Sequence, residues 1–251
     1  MIQLQHIGVR YGERDILRDL TAEVAGGRIT AVMGPNGCGK TTLLRCIGGL
    51  MQPGEGQVLV DGRPVGSYTA RELAQQVAFV RQHAQTDFEF SAFETVLMGR
   101  NPWQRRLQNE SQADWDIVER CMRQTGTWHL RLAKPMQMSG GELQRVMIAR
   151  ALAQETPLLL LDEPVSNLDI AHQIDIMRLL RGAAGKTTLI VIHDLNLALQ
   201  YCDDLLLLHD GALLYHGPIA EGLTPERIAT VYGVDAHVDR GHILFDYDGL
   251  S

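Results

Sequence analysis

Apolar and polar residues alternate in short runs at the start of the chain. The runs IQLQHIGVRY (2–11), LTAEV (20–24) and RITAVMG (28–34) are rich in β-forming residues and are separated by turn signals. Gly26-Gly27 lies between the second and third runs, and we predict a hairpin turn at this pair. The pattern therefore predicts a β-rich opening.

The spacing of apolar residues changes to that of a helix after the third run. Leu43, Leu44, Ile47 and Leu50 recur at helical spacing until the segment QPGEG (52–56) interrupts them. A strand, a glycine-rich loop and a helix in this order predict the start of an α/β layer.

Two later runs predict further strands. QVLVDGRPV (57–65) predicts a hairpin about Asp61-Gly62, because this pair suits a tight turn between apolar residues. QVAFVRQ (76–82) predicts a strand that ends near Gln82.

Two continuous apolar runs in the second half of the chain end in acidic residues or histidine. PLLLLDEP (157–164) and TTLIVIHD (187–194) predict buried parallel strands, with the helix IDIMRLLRGA (174–183) between them. Parallel sheets place their sites at the carboxyl ends of such strands. The residues that close these two runs are therefore candidates for chemistry.

The remaining segments complete an α/β pattern. Residues 83–135 are polar with helical patches, and they predict a mostly helical lobe inserted between α/β elements. DDLLLLHDGALLYHG (203–217) predicts a hairpin about Asp210-Gly211, and TPERIATVYG (224–233) predicts a short capped helix.

Composition narrows the classes of protein that fit this pattern. At 251 residues the chain is long enough for one large domain with lobes. Lys and Arg number 23 against 30 Asp and Glu, and a net charge of -7 argues against a nucleic-acid binder. The N-terminus lacks a signal-peptide pattern, and no apolar run approaches the length of a membrane span. The four cysteines have no zinc-like spacing. We therefore expect a cytosolic protein with free thiols, neither exported nor membrane-spanning.

The segment GPNGCGKT, Gly34 to Thr41, matches the phosphate-binding motif G-x-x-x-x-G-K-[ST] between a strand and a helix. We call it the phosphate loop. Glycines let successive backbone N–H groups face a phosphate, Lys40 adds a positive charge, and the Thr41 hydroxyl can bind Mg²⁺. Cys38 contributes mainly its backbone. The alternative is an ordinary glycine-rich turn.

Asp162 and Glu163 follow the apolar run 158–161. Beside a phosphate loop, one carboxylate at a strand end can hold Mg²⁺ through water, and the next can orient or deprotonate an attacking water. The alternative is a pair of strand-end acids that cap the next helix. The phosphate loop favours catalysis.

His193 and Tyr11 are two further candidates. His193 ends the second buried strand, where an imidazole can contact a terminal phosphate or position water. Tyr11 follows the first strand and either stacks on a purine or belongs to the core of a β lobe.

The stretch QMSGGELQRV (137–146) predicts a second helix start that could receive an anion. Ser139 and Glu142 have the spacing of a capping box, which by itself explains both residues. Gly140 and Gly141 are not needed for a cap, and each disfavours a helix by about 1 kcal/mol relative to alanine. Bare backbone at a helix N-terminus suits the close approach of a phosphate.

Six motifs that follow one another along nearly the whole chain resemble those of the ATPase subunits of ABC transporters. They are, in order, the phosphate loop, Gln82, MSGGE (138–142), LLLLDEP (158–164), SNLD (166–169) and His193. The resemblance implies a single α/β domain over 1–251, with a P-loop ATPase core, an N-terminal antiparallel β subdomain and an inserted helical subdomain. The core with its β subdomain is expected at 1–82 and 136–251, and the helical subdomain at 83–135.

The resemblance also implies ATP and Mg²⁺ as cofactors and a role for each matching residue. Tyr11 is expected to stack on adenine, Glu163 to act as base and His193 as a switch. Gln82 is expected to sense the metal and the membrane partner, and it counts among the catalytic residues. The remaining ATP-binding residues are Gly34, Pro35, Asn36, Gly37, Cys38, Gly39, Lys40, Thr41 and Thr42. The expected magnesium ligands are Thr41, Gln82 and Asp162.

Partners follow from the same resemblance. Two ATPase subunits are expected to pack head to tail as a homodimer, in which Asp169 communicates across the interface. Two integral-membrane permease subunits would dock near Gln82 to Arg100, an external substrate-binding protein would act indirectly, and no nucleic acid is expected. The implied location is peripheral, on the cytoplasmic face of the inner membrane. The residues that complete the partner's ATP site are Ser139, Gly140, Gly141, Glu142 and Asp169.

A narrower resemblance concerns the subgroup that powers bacterial uptake of ferric siderophores, haem or cobalamin. Four segments carry it: ETVLMGRNPW (94–103), DEPVSNLDIAHQIDIMRLL (162–180), IHDLNLALQYCDDLLLLHDG (192–211) and LTPERIATVYGV (223–234). The chain departs from the family pattern at Arg81, Met138 and Glu142. Since Glu142 still satisfies the capping box, we expect no loss of activity from it.

Two other classes remain open. A soluble ABC-type ATPase fits DNA repair or translation poorly, because the chain is acidic and has neither a coiled-coil insertion nor a second cassette, but it fits iron-sulfur assembly. A nucleotide-binding scaffold without turnover is disfavoured by the presence of both Glu163 and His193. An importer ATPase for another substrate, such as an oxyanion, is a further alternative.

Overall fold

The computed structural model describes residues 1–82, 89–104, 110–166, 168–182 and 185–246. The strands, in chain order, are β1 (Ile2–Tyr11), β2 (Arg14–Val24), β3 (Ile29–Met33), β4 (Glu55–Val60), β5 (Arg63–Pro64), β6 (Val77–Val80), β7 (Leu158–Asp162), β8 (Thr187–Val191), β9 (Asp204–His209), β10 (Ala212–Pro218), β11 (Ala236–Asp239) and β12 (His242–Phe245). The α-helices are α1 (Lys40–Ile47), α2 (Ala70–Gln76), α3 (Ala92–Leu97), α4 (Gln112–Gln124), α5 (Gly140–Ala153), α6 (Ile170–Gly182), α7 (Leu195–Tyr201), α8 (Ile219–Gly222) and α9 (Pro225–Tyr232).

The chain divides into two compact units. The first unit consists of Met1–Ser67 and Thr187–Ser251, and the second of Tyr68–Lys186. Within the described part of the chain, no helix has the length and apolar character needed to cross a membrane. The predicted lobe boundaries, with a helical lobe at 83–135, stay a prediction.

An antiparallel sheet with the order β2-β1-β4-β5 opens the first unit, as the β-rich start of the sequence predicts. β1 and β2 are joined at Gly12 (φ 58°), and Tyr11 pairs with Arg14. The predicted hairpin at Gly26-Gly27 is wrong, because β2 pairs with β1 whereas β3 pairs with β8 and β9. The glycine pair instead lets the chain pass from one sheet to another.

The second sheet region of the first unit places β3 between two parallel neighbours. Val32 pairs with Val191 of β8, and Met33 pairs with Leu207 of β9. Every residue of β3 and β8 is buried, which explains their continuous apolar sequences. The carboxyl ends of β3 and β8 therefore lie side by side.

Both hairpins predicted about Asp-Gly pairs are confirmed. β4 and β5 pair across Asp61-Gly62, and β9 and β10 pair across Asp210-Gly211. All four turn residues have positive φ, between 47° and 78°. This conformation is the one that a two-residue hairpin loop requires, and Asp-Gly adopts it readily.

The second unit combines a parallel strand pair with a helical cluster. Val80 of β6 pairs with Leu161 of β7, so that these two strands end at the same edge. The helices α3, α4 and α5 pack against one another through apolar residues that are fully buried, among them Val96, Val118 and Ile148. Arg100 is only 7% exposed and reaches the carboxylate of Asp114 at 2.9 Å.

Within the first unit, hydrogen bonds between side chains and backbone fix the C-terminal segment. Helix α9 begins after Thr224, whose hydroxyl accepts from the helix backbone, and ends at Gly233 with φ 70°, which confirms the predicted capped helix. The amide of Asn196 in α7 donates to the carbonyl of Ile243 at 3.0 Å and accepts from its N–H at 2.7 Å. These two hydrogen bonds hold strand β12 against helix α7.

Candidate functional site

The phosphate loop lies between β3 and α1, as predicted. Gly39 precedes α1 with φ 103°, and no side chain caps the helix. The first turn of α1 also contains no acidic residue. Its N-terminal N–H groups, with the positive end of the helix dipole, are therefore arranged to receive an anion.

Glycine is required at both ends of the phosphate loop for steric reasons. Gly34 has φ 144°, and a Cβ atom there would lie 2.2 Å from the carbonyl oxygen of Leu208. A Cβ atom on Gly39 would lie 2.4 Å from Leu17 and 2.9 Å from the carbonyl oxygen of Ile16. Neither site accommodates a side chain, so β2 and β9 together dictate the path of the loop.

Lys40 is folded back into its own loop. Its ammonium donates to the carbonyl oxygens of Gly34 and Pro35, both at 2.8 Å, and its residue is 6% exposed. Cys38 is buried, and burial raises the pKa of its thiol, so that the neutral form is favoured. This agrees with the expectation that Cys38 contributes its backbone.

Tyr11 is not a core residue. It lies at the end of β1 and is 50% exposed, with its hydroxyl donating to the sulfur of Met51 at 3.5 Å. An aromatic ring in this position has a face available for a ligand. The alternative that Tyr11 belongs to the core of a β lobe is therefore wrong.

Asp162 and Glu163 follow the strand β7, where Asp162 is 4% exposed. Glu163 has φ 51°, a left-handed conformation that is uncommon for a glutamate and marks local strain. The amide of Gln82 donates to the carboxylate of Glu163 at 2.6 Å. The sequence placed these residues at the ends of two strands, and the parallel pairing of β6 and β7 brings them into contact.

The alternative that Asp162 and Glu163 cap the next helix is wrong. The next helix, α6, begins at Ile170, and the carboxylate of Asp169 accepts from the backbone N–H of His172 at 2.9 Å. The same carboxylate lies 2.7 Å from the His172 ring. The backbone N–H and then the ring of His172 lower the pKa of Asp169. Asn167, in the same motif, lies outside the described residues.

The capping box at Ser139 is confirmed. The Ser139 hydroxyl accepts from the N–H of Glu142 at 3.3 Å, and the Glu142 carboxylate accepts from the N–H of Ser139 at 2.8 Å. The backbone N–H and then the hydroxyl of Ser139 lower the pKa of Glu142. A Cβ atom on Gly140 would meet nothing within 4 Å, whereas one on Gly141 would lie 2.9 Å from Leu168. A side chain at Gly141 would therefore have to displace the tip of Leu168, whereas Gly140 faces open space.

His193 follows β8 and is exposed. Since β8 pairs in parallel with β3, His193 and the phosphate loop leave the same edge of the sheet. Asp194, the next residue, caps α7 by accepting from the N–H of Leu197 at 2.8 Å. Both residues line a cavity of about 600 Å³, whose lining also includes Tyr232 and Phe245.

Tyr232 is a residue that the sequence analysis did not single out. It ends α9, and its hydroxyl oxygen is buried. The short helix was predicted from its caps, but no local signal connects its last residue with a loop almost two hundred positions earlier. Only the packing of α9 in the first unit buries this hydroxyl, and burial raises the pKa of Tyr232 to about 12.

Comparison with known proteins identifies the family. The model of the family described as "ABC transporter" matches residues 17–166. The ferric enterobactin transport ATP-binding protein FepC of Escherichia coli K12 is 39% identical over 233 residues, which cover 92% of this chain and 86% of FepC. The hemin import ATP-binding protein HmuV of Gloeobacter violaceus is 42% identical over 249 residues, 96% of this chain and 90% of HmuV.

Solved structures agree with these relatives. One described as a metal-chelate type ABC transporter in an inward-facing conformation superposes with a TM-score of 0.84 at 27% identity, covering 100% of this chain and 99% of that one. The dimeric structure of the bacterial ABC transporter cassette MJ0796 gives 0.79 at 30% identity, covering 87% and 99%. These matches confirm the predicted fold class. The chain therefore belongs to the ABC transporter family, in which it is an ATP-binding ATPase.

Proposed function

We propose that this chain powers the import of a metal chelate such as ferric siderophore, haem or cobalamin. FepC and HmuV, which support this assignment, are named for enterobactin and haem transport, and a cobalamin import protein BtuD of Halobacterium salinarum is 40% identical over 90% of this chain. One structural observation carries the ATPase mechanism: the Gln82 amide donates to the carboxylate of Glu163, which follows a buried strand and has a left-handed backbone.

ATP is held by the phosphate loop and by Tyr11. The uncapped N–H groups at the start of α1 would bind the β-phosphate, and Lys40 would leave the carbonyls of Gly34 and Pro35 to reach the phosphates. The exposed ring of Tyr11 would stack on adenine, a contact that needs an open aromatic face. The loop residues 34–42 supply the remaining contacts, mostly through their backbone.

Magnesium is assigned to Thr41, Gln82 and Asp162. Their hydroxyl, amide and carboxylate oxygens are the hard donors that this ion prefers. Among the described residues no cluster of three His, Cys, Asp or Glu side chains could hold a metal ion. A metal that takes most of its ligands from phosphate and water fits this sparse donor set. When bound, it would neutralise charge on the phosphates during transfer.

Glu163 is proposed as the general base and His193 as a switch at the terminal phosphate. A carboxylate directed by the Gln82 amide is oriented to accept a proton from an attacking water. The strained backbone at Glu163 is consistent with a side chain that is positioned for chemistry rather than for folding. Gln82 would connect this carboxylate to the metal and to the membrane partner.

The second ATP-binding surface is proposed to serve the partner chain of a homodimer. Ser139 to Glu142 would approach a nucleotide held by the other chain's phosphate loop, with Gly140 presenting bare backbone. Asp169 would transmit closure across the interface. The dimeric cassette MJ0796 supports such an arrangement. ATP-driven closure and reopening by hydrolysis would then alternate.

Two permease subunits are proposed as membrane partners, with a substrate-binding protein acting through them. Their docking region was predicted near Gln82 to Arg100, of which residues 83–88 lie outside the described residues. Arg100 itself is buried against Asp114 and Glu155, so it supports the helices rather than offering a contact. The chain would act on the cytoplasmic face of the inner membrane as a peripheral subunit.

Uptake measurements test the proposal directly. Cells that lack the gene would be complemented with the wild type or with Glu163→Gln and supplied with labelled ferric siderophore, haem, cobalamin or an oxyanion. We expect uptake of one metal chelate to depend on the wild-type gene and to be lost with Glu163→Gln. Purified Glu163→Gln should bind ATP, hydrolyse it about 100-fold more slowly or worse, and accumulate as a dimer.

A matched control and two opposing outcomes make this test decisive. Glu221→Gln removes an exposed carboxylate elsewhere and should leave uptake unchanged. Unaltered hydrolysis by Glu163→Gln would refute the assignment of the base. The chelate assignment would be refuted if only oxyanion uptake depended on the gene. It would also be refuted if none of the labelled compounds required the gene for uptake.

A further inference from the structure

The turn between β9 and β10, formed by Asp210 and Gly211, lies against strand β2 of the first unit. A Cβ atom on Gly211 would lie 2.6 Å from the carbonyl oxygen of Ile16 in β2. Strand β2 belongs to one sheet, whereas β9 and β10 belong to another. The spacing between this turn and β2 therefore depends on contacts of this kind rather than on the hydrogen bonds of a common sheet.

The carbonyl of Ile16 also borders the phosphate loop. A Cβ atom on Gly39, the residue that precedes α1, would lie 2.9 Å from the same carbonyl oxygen. One carbonyl group is therefore approached closely by a turn glycine and by a loop glycine, and both approaches require that the glycine has no side chain. Because closely packed atoms transmit strain, a displacement of this carbonyl by the turn would reach Gly39.

Arg18 connects β2 to the turn through two hydrogen bonds. Its backbone N–H donates to the carbonyl of Gly211 at 2.7 Å, and its guanidinium donates to the carbonyl of Asp210. Arg18 is two residues from Ile16 on the same strand. The two hydrogen bonds therefore hold the Ile16 carbonyl at its distance from the turn.

The other Asp-Gly hairpin shows that the turn itself does not require such a contact. Gly62 has φ 78° and Gly211 has φ 75°, so the two glycines have nearly the same backbone conformation. A Cβ atom on Gly62, however, would meet nothing within 4 Å. The close approach at Gly211 therefore results from its place beside β2 and not from the type of turn.

We propose that Gly211 and Arg18 are positioning residues for nucleotide binding, a role that rests on the ATP-binding function proposed for the phosphate loop. They set the position of the Ile16 carbonyl, against which Gly39 packs. The loop thereby keeps the path that directs the N–H groups at the start of α1 toward a phosphate. Gly211 and Arg18 act on ATP through the loop backbone, so a turn that is distant in sequence contributes to nucleotide affinity.

The first experiment compares Gly211→Ala with its matched control, Gly62→Ala. Both substitutions place a methyl group at positive φ, so both should lower the melting temperature by about 3 °C or more. Only the methyl group at position 211 meets Ile16. We therefore expect Gly211→Ala to weaken ATP binding about tenfold and Gly62→Ala to stay within about twofold of the wild type. Isothermal titration with ATP and Mg²⁺, well below both melting temperatures, measures the affinity of the folded protein.

The second experiment shortens Arg18 without crowding the turn. Arg18→Met removes the guanidinium contact with Asp210 but keeps the backbone hydrogen bond to Gly211, so we expect a smaller loss of ATP affinity, about threefold to fivefold. Arg63→Met is the matched control, because the Arg63 guanidinium also donates to a backbone carbonyl, that of Ser67, at 2.7 Å. Arg18→Lys keeps a charged donor and should recover most of the affinity.

Salt separates support of the phosphate loop from simple attraction of ATP by a positive charge. If Arg18 acted by its charge alone, the loss of affinity in Arg18→Met would disappear at about 0.5 M NaCl, where exposed charges are screened. A loss that persists at this salt concentration supports the positioning role.

Three results would overturn the positioning role. They are an ATP affinity of Gly211→Ala within about twofold of the wild type, an equal loss in Gly62→Ala, and a loss in Arg18→Met that salt abolishes or that Arg63→Met matches.

Lys40→Ala separates failure of this role from failure of the proposed function. If Lys40→Ala binds ATP as well as the wild type, the assignment of the phosphate loop itself is refuted. If Lys40→Ala loses ATP binding while Gly211→Ala and Arg18→Met keep it, only the role of Gly211 and Arg18 is refuted.

Discussion

Two helix N-termini in this molecule look alike in sequence but are built in different ways. At the start of α1 no side chain caps the helix, and Gly34 and Gly39 are held against neighbouring strands. At the start of α5 a complete capping box engages the N–H groups of Ser139 and Glu142, and Gly140 faces open space. Both are glycine-rich, yet only the second has a side-chain cap.

The difference bears on which chain supplies the phosphate proposed at each helix N-terminus. A helix start without a cap is incomplete in its own chain and is completed when a phosphate binds. A helix start with a cap is stable alone, so a ligand there adds to a finished structure. This agrees with the proposal that the phosphate loop binds ATP within the chain and that Ser139 to Glu142 receives the ATP of another chain.

The largest expected effect is at the first helix start. Gly39→Val places side-chain atoms against Leu17 and the carbonyl of Ile16 in a left-handed conformation, so the loop cannot keep its path. We expect ATP affinity to fall at least about 100-fold, corresponding to about 2.7 kcal/mol. Titration with a fluorescent ATP analogue measures this loss. Gly37→Ala, which has positive φ but open space, should be affected much less.

A valine at the second helix start should separate ATP binding from hydrolysis. Gly140→Val has room within the chain, so ATP binding by a monomer should stay within about twofold, while the approach of the partner's phosphate is blocked and hydrolysis falls about 50-fold or more. Gly182→Val, another helical glycine with open space, serves as control and should retain hydrolysis. If the Gly140→Val monomer no longer bound ATP, the surface would have to belong to the ATP site of its own chain.

Removing the side-chain cap of α5 should lower the stability of the protein. Helix α1 has no side-chain cap, so no equivalent substitution exists there. Ser139→Ala is expected to lower the free energy of unfolding by about 1 kcal/mol and to reduce hydrolysis, with ATP binding by the monomer preserved. Ser91→Ala removes the equivalent capping box of α3 and should lower stability by a similar amount without an effect on hydrolysis. Urea unfolding and steady-state ATPase assays measure the two quantities. Equal activity of the two variants would contradict a role for Ser139 beyond capping.

The smallest effect concerns the charge of Glu142. Its pKa is lowered in the folded chain, so its ionised form stabilises the fold above the ordinary pKa of glutamate, about 4.3, and this contribution disappears as pH falls through the lowered pKa. Glu142→Gln keeps the capping geometry without the charge. We therefore expect the variant to be slightly less stable at neutral pH and to equal the wild type in acid. A stability difference that grows in acid would contradict this.

Features that depend on neighbouring residues were predicted well. The hairpins at Asp61-Gly62 and Asp210-Gly211 follow from turn chemistry within two residues. The capping box at Ser139 and the strand, loop and helix around Lys40 likewise depend on hydrogen bonds and steric limits a few positions apart. Such interactions are the same in almost any surrounding, which is why the sequence alone predicts them.

Features that depend on distant residues were missed or wrong. Gly26-Gly27 resembles a hairpin turn, but β2 pairs with β1 rather than with β3. The two glycines therefore connect two different sheets. Glu163 adopts a left-handed backbone conformation that no local sequence pattern predicts. A side chain at Gly141 would meet Leu168, and the burial of the Tyr232 hydroxyl depends on the packing of α9. Each of these depends on which segments meet in space.

The family motifs, the α/β class and the candidate residues can all be read from the sequence, because they depend on residue type and short spacing. Which candidates touch one another depends on how the strands and helices pack. Gln82 and Glu163 are 81 positions apart and meet because β6 and β7 pair in parallel. Contacts across such separations depend on the burial of whole strands and helices, which the pattern of any one segment does not contain.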